Sequence, residues 1–327
     1  MRPCTEVMTL DTNIHFADPF SAPGQWYKGN LHTHSTLSDG DFTPGRITRW
    51  YRERGYHFVA LTDHRIVSEA RAVADKFIYL SGVELDAVDP AIGLYHLVGL
   101  GFTRPLDLSC YVGKPTTAEA VIEIREMIDR LHAAGALVFL AHPYWSGGMS
   151  KDLLEVEGLA GLEVWNGSCE VWDCKGLSAV HWDDLLAADR RLWGFGTDDC
   201  HWRPGREDAG LGWVWVKARE LTQAAILAAL AQGHFYASSG PQIHDLRLEG
   251  RELHVRCSPA VAIDFVGNGP FSRRVVARPG ATITEASYPL AERQPLGRQT
   301  CRYVRVACLD AQGCWAWSNP IFFDPKV

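Results

Sequence analysis

The sequence has no long hydrophobic run, no block of basic residues and no C-x-x-C pair of cysteines. No segment is long and apolar enough to cross a bilayer, so we expect no membrane partner. The 32 Lys and Arg residues are outnumbered by 39 Asp and Glu residues, and without a basic block we expect no nucleic-acid partner. Nine cysteines, an odd number, are typical of reduced thiols and argue against a disulfide framework.

The composition excludes a disordered or fibrous protein, since 46% of the 327 residues are hydrophobic and 22% are charged. A chain of this length forms about two domains, although an α/β barrel can take most of it alone. Residues 1–25 contain Asp11, Asp18 and prolines but no apolar core of a signal peptide. We therefore expect a cytoplasmic protein.

Residues 26–239 alternate short apolar runs with longer amphipathic segments, a pattern typical of repeated β-α units. Helices are predicted at Thr116–Ala134 and Leu221–Ala231, and Thr43 precedes Pro44 as a capping residue would. The predicted strands are Gly29–His34, His57–Asp63, Phe77–Leu85, Tyr95–Gly101, Ala136–Ala141, Gly161–Trp165, Leu192–Gly196 and Trp213–Val216. This alternation favours an α/β fold with a parallel sheet or barrel.

After Gly240-Pro241 the helical periodicity stops, and short alternating runs separated by glycines follow. They predict a small C-terminal antiparallel β-sandwich. Its predicted strands are Asp245–Leu248, Leu253–Cys257, Ala262–Val266, Arg274–Ala277, Tyr303–Cys308 and Ile321–Phe323. We therefore divide the chain into an N-terminal extension (1–25), a β/α domain (26–239) and a β-sandwich domain (240–327). No pattern predicts an oligomeric state.

The first predicted strand ends in His32-Thr33-His34, and the loop that follows carries Asp39. Residues two apart on a strand face the same side, so His32 and His34 can hold one ion while Asp39 reaches the same pocket. A lone His-x-His pair is more often solvated or part of a core. The other strand ends decide between these interpretations.

Those strand ends also carry metal-ligand side chains. The second strand runs into Asp63-His64, and the third carries Glu84 within an apolar run. Because an unpaired buried carboxylate is costly, Glu84 predicts a neighbouring cation, with an arginine or a capping partner as the alternative. The remaining candidates are His96, His142, Asp198, Asp199 and His201.

The carboxyl ends of barrel strands converge on one face, so these side chains are expected to form one site. Imidazole and carboxylate ligands in this number suit two or three divalent ions, with Zn, Mn or Fe as the candidates. Strand alternation places Asp199 beside His201, with Asp198 as the alternative ligand. The same alternation points Cys200 away from the site, as a packing residue.

In this order, the motifs resemble the polymerase and histidinol phosphatase (PHP) superfamily over residues 26–239. The motifs are Leu31-His32-Thr33-His34-Ser35, Ser38-Asp39-Gly40, Thr62-Asp63-His64, Gly82-Val83-Glu84, Ala141-His142-Pro143 and Asp199-Cys200-His201. The resemblance implies a distorted seven-stranded β/α barrel that binds two or three metal ions. The motifs Ser238-Ser239-Gly240-Pro241 and Ala316-Trp317-Ser318-Asn319-Pro320 are further similar to the carbaryl-hydrolase-like branch, which carries a β-sandwich.

Carried over motif by motif, the resemblance implies three metal sites. The implied ligands are His32, His34, Glu84 and Asp199 for the first ion, Glu84, His96 and His142 for the second, and Asp39, His64 and His201 for the third. Glu84 would therefore bridge the first two ions. Some relatives carry His where this chain has Asp39, and the Gly-Thr-Asp-Asp-Cys-His segment departs from the commoner Gly-Ser-Asp-x-His.

The resemblance predicts a metal-dependent phosphoesterase that hydrolyses a small phosphate mono- or diester through a metal-bridging hydroxide. Glu84 would set the spacing of the ions, and His201 would stabilise or protonate the leaving group. Asp63 would fix the tautomer of an imidazole, with a turn cap as its alternative role. The candidate substrate contacts are Lys28, Arg65, Asn166 and Arg203.

Two other functions fit the same residues. Ions that polarise a phosphoryl oxygen also polarise a carbonyl, so hydrolysis of a carbamate, ester or amide is the first alternative. The second is a non-catalytic metal-containing binding protein, which is disfavoured because an abandoned site has no physical reason to keep so many costly polar groups. The expected partner is a small phosphorylated or ester substrate.

Overall fold

The computed structural model describes residues 12–74, 76–290 and 300–325. The strands β1 to β20, in chain order, are Thr12–His15, Gln25–Asn30, Phe58–Ala60, Arg71–Ala74, Phe77–Leu80, Gly82–Asp89, Gly93–Leu100, Leu137–Leu140, Gly161–Asn166, Trp193–Thr197, Trp213–Ala218, Phe235–Ser238, Ile243–Glu249, Glu252–Ala260, Ala262–Gly267, Arg273–Val276, Ile283–Pro289, Tyr303–Leu309, Trp315–Ser318 and Ile321–Pro325. The helices α1 to α7 are Pro44–Glu53, Ile124–Ala133, Pro143–Ser146, Ser150–Leu153, Gly167–Asp173, Ala179–Ala187 and Gln223–Ala231. This is the mixed α/β fold that the sequence predicts.

Two sheets carry the strands that lead to the predicted site. In one, β2, β3 and β5 are parallel neighbours, and β2 continues into antiparallel β11 and β12. The other has the order β10-β9-β8-β7-β6, parallel from β8 to β10. Backbone bridges join the two sheets, because Thr33 pairs with Cys200 and His64 pairs with Glu84. The end of β2 therefore meets that of β10, and the end of β3 meets β6, whereas a closed seven-stranded barrel stays a prediction.

Apolar side chains from both sheets share one buried cluster. The rings of Phe139 on β8 and Phe195 on β10 stack with centroids 4.4 Å apart. Phe58 on β3 and Val214 on β11 belong to the same cluster. Removing this apolar surface from water holds the two sheets together and so fixes the positions of the strand ends.

One predicted strand, Phe77–Leu85, is divided between the two sheets. It splits at Ser81 into β5 and β6. The Ser81 amide and hydroxyl both donate to Gln223 Oε1, at 2.7 and 3.1 Å. Both halves are buried, so a continuous apolar run gives no sign of the change of sheet.

Two of the predicted helices begin at different residues from those expected. α1 starts with Pro44 and is capped by Thr43, as predicted. The predicted helix Thr116–Ala134 is shorter, since α2 begins at Ile124 after a 3₁₀ turn, and Leu221–Ala231 begins two residues later as α7. The shortening has a physical cause: Val121 forms a bridge with Val88 of β6, which holds the chain extended just before α2.

The C-terminal region contains a three-stranded antiparallel sheet, β13-β14-β17. Its other strands continue the sheet of the site, because β19 pairs with β12. Leu246 and Val255 of the small sheet share a buried cluster with Phe265 and Val306 of the larger one. A β-sandwich domain with its boundary at residue 240 stays a prediction.

The predicted N-terminal extension lies partly outside the described residues, which begin at residue 12. Its described part adds a strand to the C-terminal region, since β1 pairs antiparallel with β20. Within the described ranges, no helix combines the length and apolar character needed to cross a membrane.

Candidate metal centre

The His-x-His pair lies just beyond the end of β2, with both rings fully buried. The backbone there is held against the end of β10, because Asp199 N donates to His32 O at 2.9 Å and His34 N donates to Cys200 O at 3.0 Å. The two Nε2 atoms face each other at 3.3 Å. Two neutral rings cannot both present a lone pair at this distance without a proton or a cation between them.

Glu84 lies at the centre of the cluster, on β6, and is 1% exposed. Five imidazoles surround its carboxylate. The ring nitrogens nearest to its oxygens are those of His96 at 2.8 Å, His34 at 3.1 Å, and His32, His64 and His142 at 3.3 Å each. A carboxylate accepts about four hydrogen bonds, so this crowding is typical of ligands gathered around cations.

Asp199 faces the same cluster from the end of β10. Its Oδ1 lies 3.1 Å from His34 Nε2 and 3.2 Å from His32 Nε2. The backbone of Asp199 has a φ of 53°, and that of His142 has a φ of 27°, both in the left-handed region. Residues other than glycine adopt this region at a cost, and such strain is concentrated at functional sites.

Asp198 points the other way and has a different set of partners. Its carboxylate accepts hydrogen bonds from Tyr51 Oη and from the amides of Gly210, Leu211 and Gly212, at 2.7 to 2.9 Å. Burial raises the pKa of Asp198 to about 6, although these hydrogen bonds oppose the shift. The geometry therefore brings Asp199, and not Asp198, to the histidines.

A third carboxylate, Asp39, lies at the rim of the cluster and is partly exposed. Its Oδ2 lies 3.3 Å from His201 Nε2 and 3.1 Å from Arg203 Nη2. Its Oδ1 lies 3.5 Å from His34 Nδ1. Burial alone would raise the pKa of Asp39, but the hydrogen bond from His201 and the neighbouring imidazoles lower it below the usual range.

These side chains form three overlapping groups whose candidate ligand atoms lie within 4.8 Å of one another. The groups are His34, Asp39, His64 and His201; His32, His34, Glu84 and Asp199; and His64, Glu84 and His96. His142 adjoins the last two groups, since its Nε2 lies 3.3 Å from Glu84 and 3.7 Å from Asp199. The donor set of imidazole and carboxylate suits Zn, Mn or Fe.

The electrostatics of the cluster also fit cations. Burial would lower the pKa of His34, but hydrogen bonds and charges from Asp199 and Glu84 raise it to about 10. Burial would raise the pKa of Glu84, yet the imidazoles hold it well below the usual range. His64 Nδ1 is buried 3.3 Å from oxygens of both Glu84 and Asp86, but it forms no well-aligned hydrogen bond with the residues described. The ionised carboxylates thus require positive charge, which protons or bound divalent ions supply.

The cluster forms the floor of a cavity of about 330 Å³. Trp145, Asp173, Arg203 and Arg206 line its walls. A phosphate ester of modest size fits a pocket of this volume. The two arginines bring positive charge to the mouth of a cavity that is otherwise rich in carboxylates.

No family model matches the sequence. Over 112 residues the chain is 35% identical to a 3′,5′-nucleoside bisphosphate phosphatase from Chromobacterium violaceum, a match that covers 32% of this chain. The chain thus spans 39% of the length of that curated relative.

Three solved structures also match. A two-domain protein from Bacteroides vulgatus, described as containing a PHP-like metal-dependent phosphoesterase, is 16% identical with a TM-score of 0.48, covering 88% of this chain and 91% of that one. A protein from Bifidobacterium adolescentis described as a metal-dependent phosphoesterase is 19% identical with a TM-score of 0.40, covering 65% and 97%. An amidohydrolase from Chromobacterium violaceum with bound sulfate and no metal is 18% identical with a TM-score of 0.39, covering 54% and 88%.

The chain is similar to PHP-like metal-dependent phosphoesterases. The carbaryl-hydrolase-like branch within that resemblance stays a prediction.

Glu163 on β9 adds a further carboxylate to the cluster and is missed by the sequence analysis. It is fully buried, and its Oε1 lies 2.8 Å from His32 Nδ1. Its oxygens also accept hydrogen bonds from Thr197 Oγ1 at 2.6 Å and from the amide of His142 at 2.8 Å. A carboxylate at Nδ1 leaves the Nε2 lone pair of His32 free for an ion. A buried Glu in the apolar run Gly161–Trp165 was the available signal, the same one that singled out Glu84.

Asp63 has a different role from the predicted one. We expected it to fix an imidazole, but its oxygens accept hydrogen bonds from the amides and hydroxyls of Ser35 and Ser38, at 2.7 to 3.1 Å. These four bonds hold the loop that carries Asp39. Asp63 therefore affects the site by holding that loop in place. This role is close to the alternative that we gave for it, a turn cap.

The four predicted substrate contacts do not all reach the cavity. Of these, Arg203 lines it. Lys28 lies on β2 between the rings of Tyr56 and Trp213, with Nζ 4.0 and 3.8 Å from the ring centroids. Lys28 is not among the residues that line the cavity.

The other two candidates are engaged with neighbouring carboxylates. Arg65 forms a fork with Asp86, at 3.0 and 2.6 Å, and Asp86 Oδ1 in turn lies 3.3 Å from His64 Nδ1. Asn166 is fully buried, and its Nδ2 donates to Glu163 at 2.8 Å and Asp199 at 3.1 Å. Both residues therefore position carboxylates of the site. Asp86, like Glu163, was missed by the sequence analysis.

Cys200 is a packing residue, in agreement with the expectation from strand alternation. It is fully buried with Ile47, Tyr51 and Trp202 in a small apolar cluster. Its Sγ donates to Asp208 Oδ1 at 2.9 Å. The thiol points away from the histidines, so it offers no ligand atom to the site.

Proposed function

We propose that this protein is a metal-dependent phosphoesterase that acts on a small phosphate mono- or diester. The observation that carries the proposal is the carboxylate of Glu84, buried beneath five imidazole rings at the floor of a cavity. Such a group of buried polar side chains is stable chiefly when cations compensate its charge. The name of the curated relative, a phosphatase, supports the choice of a phosphoester.

The residues that would hold the ions follow from the three groups. His32, His34, Glu84 and Asp199 would hold the first ion, and His34, Asp39, His64 and His201 the third. Glu84 and His96 would hold the second together with His64 or with His142, whose Nε2 lies 3.3 Å from Glu84. Zn, Mn or Fe bound there would supply a lowered pKa for water and neutralise charge on phosphoryl oxygens. Glu84 belongs to two groups, so its carboxylate would set the spacing between neighbouring ions.

The chain's own residues would orient the phosphoester. Arg203 lies at the mouth of the cavity, 3.1 Å from Asp39, and its planar guanidinium can bind two oxygens of a phosphate. Trp145 forms part of the wall and excludes water from one side. The substrate would thus enter with its phosphate towards the histidines and its leaving group towards the rim.

His201 is suited to protonate the leaving group. Its Nδ1 lies 2.9 Å from the carbonyl oxygen of Asp199. A carbonyl can only accept, so Nδ1 carries a proton, and the second ring nitrogen, Nε2, faces Asp39 at the rim. When the third ion is bound, Nε2 would be its ligand atom; in a metal-free His201, a proton held at Nε2 would lie where the leaving oxygen departs.

Metal analysis combined with a substrate panel tests the proposal. We expect two to three equivalents of Zn, Mn or Fe in purified protein, and turnover of phenyl phosphate or bis-phenyl phosphate that chelation abolishes and Mn restores. Phenyl acetate and a phenyl carbamate serve as paired substrates. Robust ester or carbamate turnover without phosphoester turnover would replace the proposal with the carboxyl-ester alternative, and turnover of none would favour a binding protein.

Glu84→Gln gives the sharpest variant test. It keeps the volume but removes the charge shared by the metal groups, so phosphoester turnover should fall to the background level. Glu285→Gln, an exposed carboxylate on β17, is the matched control and should keep full activity. Unchanged turnover in Glu84→Gln, with circular dichroism showing a retained fold, would remove the central role of this residue.

A further inference from the structure

A second, larger cavity adjoins the metal centre. It has a volume of about 1050 Å³ and lies between α1 and residues 202–209, the loop that follows His201. Five arginines line it: Arg46, Arg49, Arg54, Arg203 and Arg206. The predicted site includes only one of them, so most of this cavity has no role in the function proposed above. We call it the arginine groove.

The arginines of the groove are available to a ligand. Within residues 12–74, 76–290 and 300–325, no carboxylate oxygen lies within 4.0 Å of the guanidinium nitrogens of Arg46, Arg49, Arg54 or Arg206. Arg203 pairs with Asp39 at 3.1 Å, but both side chains are about two-fifths exposed. A pair at that exposure is weak and is readily exchanged for another anion.

Aromatic rings hold several of these guanidinium groups in place. Arg46 lies 3.4 Å from the centroid of the Phe42 ring, and Arg54 lies 4.0 Å from that of Trp50. A guanidinium stacked on a ring keeps its N–H edge free for hydrogen bonds, and Arg54 uses one nitrogen, Nη1, to donate to Trp50 O at 3.2 Å. The groove therefore presents partly ordered donors, which reduces the entropy lost when an anion binds.

The carboxylates of the groove do not cancel this charge. Asp41, Glu53, Glu207 and Asp208 also line it. Asp208 is buried and accepts hydrogen bonds from Cys200 at 2.9 Å and Ser168 at 3.2 Å. Five arginines thus face three exposed carboxylates, and the charge that a ligand meets is positive.

The groove and the metal centre form a continuous surface. Arg203 and Arg206 line both cavities. A molecule held by its phosphate at the histidines can therefore extend past these two residues into the groove. The larger cavity has about three times the volume of the smaller one, at roughly 1050 against 330 Å³.

We propose that the arginine groove binds a second phosphate group of the substrate, remote from the one that is hydrolysed at the metal centre. The inference rests on the proposed phosphoesterase function and narrows its substrate class to compounds with two separated phosphates. Arginine is the side chain best suited to this recognition, because its fork of N–H donors matches two phosphate oxygens.

A pair of matched substrates tests the groove. Hexanediol bisphosphate and hexyl phosphate present the same alkyl phosphate to the metal centre, but the first carries a remote phosphate. In the wild-type protein we expect the bisphosphate to have the higher kcat/KM. In Arg46→Gln/Arg49→Gln, the ratio of the two kcat/KM values should fall by about tenfold or more, mainly through KM, because charge-assisted hydrogen bonds are lost.

Arg52→Gln is the matched control, since Arg52 is an exposed arginine on α1 that does not line the groove. It should leave the ratio of kcat/KM values unchanged. An unchanged ratio in the double variant, or an equal fall in the control, would overturn the inference even if phosphoester turnover is robust.

Failure of the phosphoesterase function gives a separate result. If the wild-type protein hydrolyses neither compound, titration calorimetry on Mn-loaded protein measures the binding of both. Tighter binding of the bisphosphate that Arg46→Gln/Arg49→Gln removes would support the groove while the proposed function fails. Equal binding of the two compounds to the wild-type protein would overturn the groove as well.

Discussion

The metal centre and the C-terminal core are both buried, but they are made of different side chains. Around Glu84 the buried groups are carboxylates and imidazoles, whose burial is unfavourable unless their charges are compensated. Around Phe265 they are aliphatic and aromatic side chains, whose burial is itself favourable by about 1.5–3 kcal/mol each. The metal centre thus contains the reactive groups, whereas the C-terminal core contributes to the stability of the fold.

The comparison explains why the two regions share one sheet. Asn319, just after β19, accepts a hydrogen bond from Gly194 N at 3.0 Å and donates to the carbonyls of Gly233 and Phe235 at 3.1 and 3.0 Å. Arg305 on β18 forms a fork with Asp183 on α6, at 2.8 and 2.6 Å. The C-terminal strands are therefore anchored to β12 and to β10, and β10 leads to Asp199 at the site. Stability gained in the apolar core supports the costly polar cluster.

The largest effect should come from Phe265→Ala in the apolar core. The ring is fully buried and stacks on Tyr288 with centroids 5.2 Å apart. Its removal should lower the free energy of unfolding by about 3–5 kcal/mol. Urea denaturation measures the loss, and the metal content of the folded fraction should be unchanged.

Val276→Ala is the control for that change, because Val276 is 65% exposed on β16. It should shift the free energy of unfolding by less than about 0.5 kcal/mol. A lower metal content in Phe265→Ala at temperatures where the fold is intact would contradict this separation of the two regions. It would show that the C-terminal core acts directly on metal binding.

Glu163→Gln tests the polar region at a residue outside the three metal groups. Four donors converge on its carboxylate, and a Gln side chain accepts at only one of its two terminal atoms. The orientation of His32 should loosen, and metal affinity should fall by about 10–100-fold. Competition with a chelator measures the affinity, and activity at saturating metal shows how much is recovered.

Glu170→Gln is a suitable control for this prediction, because Glu170 lies on α5 and its Oε2 accepts only from Gly176 N at 3.0 Å among the contacts described. It should bind metal like the wild-type protein. An unchanged metal affinity in Glu163→Gln would mean that the carboxylate supports the fold and not the orientation of His32.

Much of the metal centre is predictable from the sequence because its residues come directly after apolar runs. His32, Glu84 and Asp199 lie in or after strands whose ends converge, so position along the chain gives position in the fold. Glu163 was signalled by its apolar run but overlooked, whereas Asp86 escapes because its closeness to His64 leaves no pattern in the sequence. The substrate contacts were the least predictable, since the direction of a long cationic side chain depends on partners that are distant in sequence.

The fold is predictable in its elements and less so in its sheets. Apolar alternation locates most strands to within a few residues, but it misses β1, β4, β12, β17 and β19. The split at Ser81 and the pairing of β12 with β19 are long-range choices of hydrogen-bonding partner. Local periodicity contains no information on such choices.

The smallest predicted effect concerns Lys28, which affects the stability of the fold and does not line the cavity. Burial lowers the pKa of its ammonium from 10.5 to about 8, although the charge of Asp198 opposes the shift. Between these two values the unfolded chain binds more protons than the folded one, so the free energy of unfolding rises with pH across this window. Lys28→Met has no ammonium at this position, so its free energy of unfolding lacks this dependence on pH.

The advantage in unfolding free energy of Lys28→Met over the wild-type protein should therefore shrink as the pH rises from about 8 to about 10.5. The change should be of the order of 1 kcal/mol, because part of the ammonium reaches solvent. Urea denaturation of both proteins at a series of pH values measures it. If the unfolding free energies of the two proteins changed with pH in parallel, Lys28 would have an ordinary pKa. A changed kcat/KM in the variant would show that Lys28 contributes to catalysis.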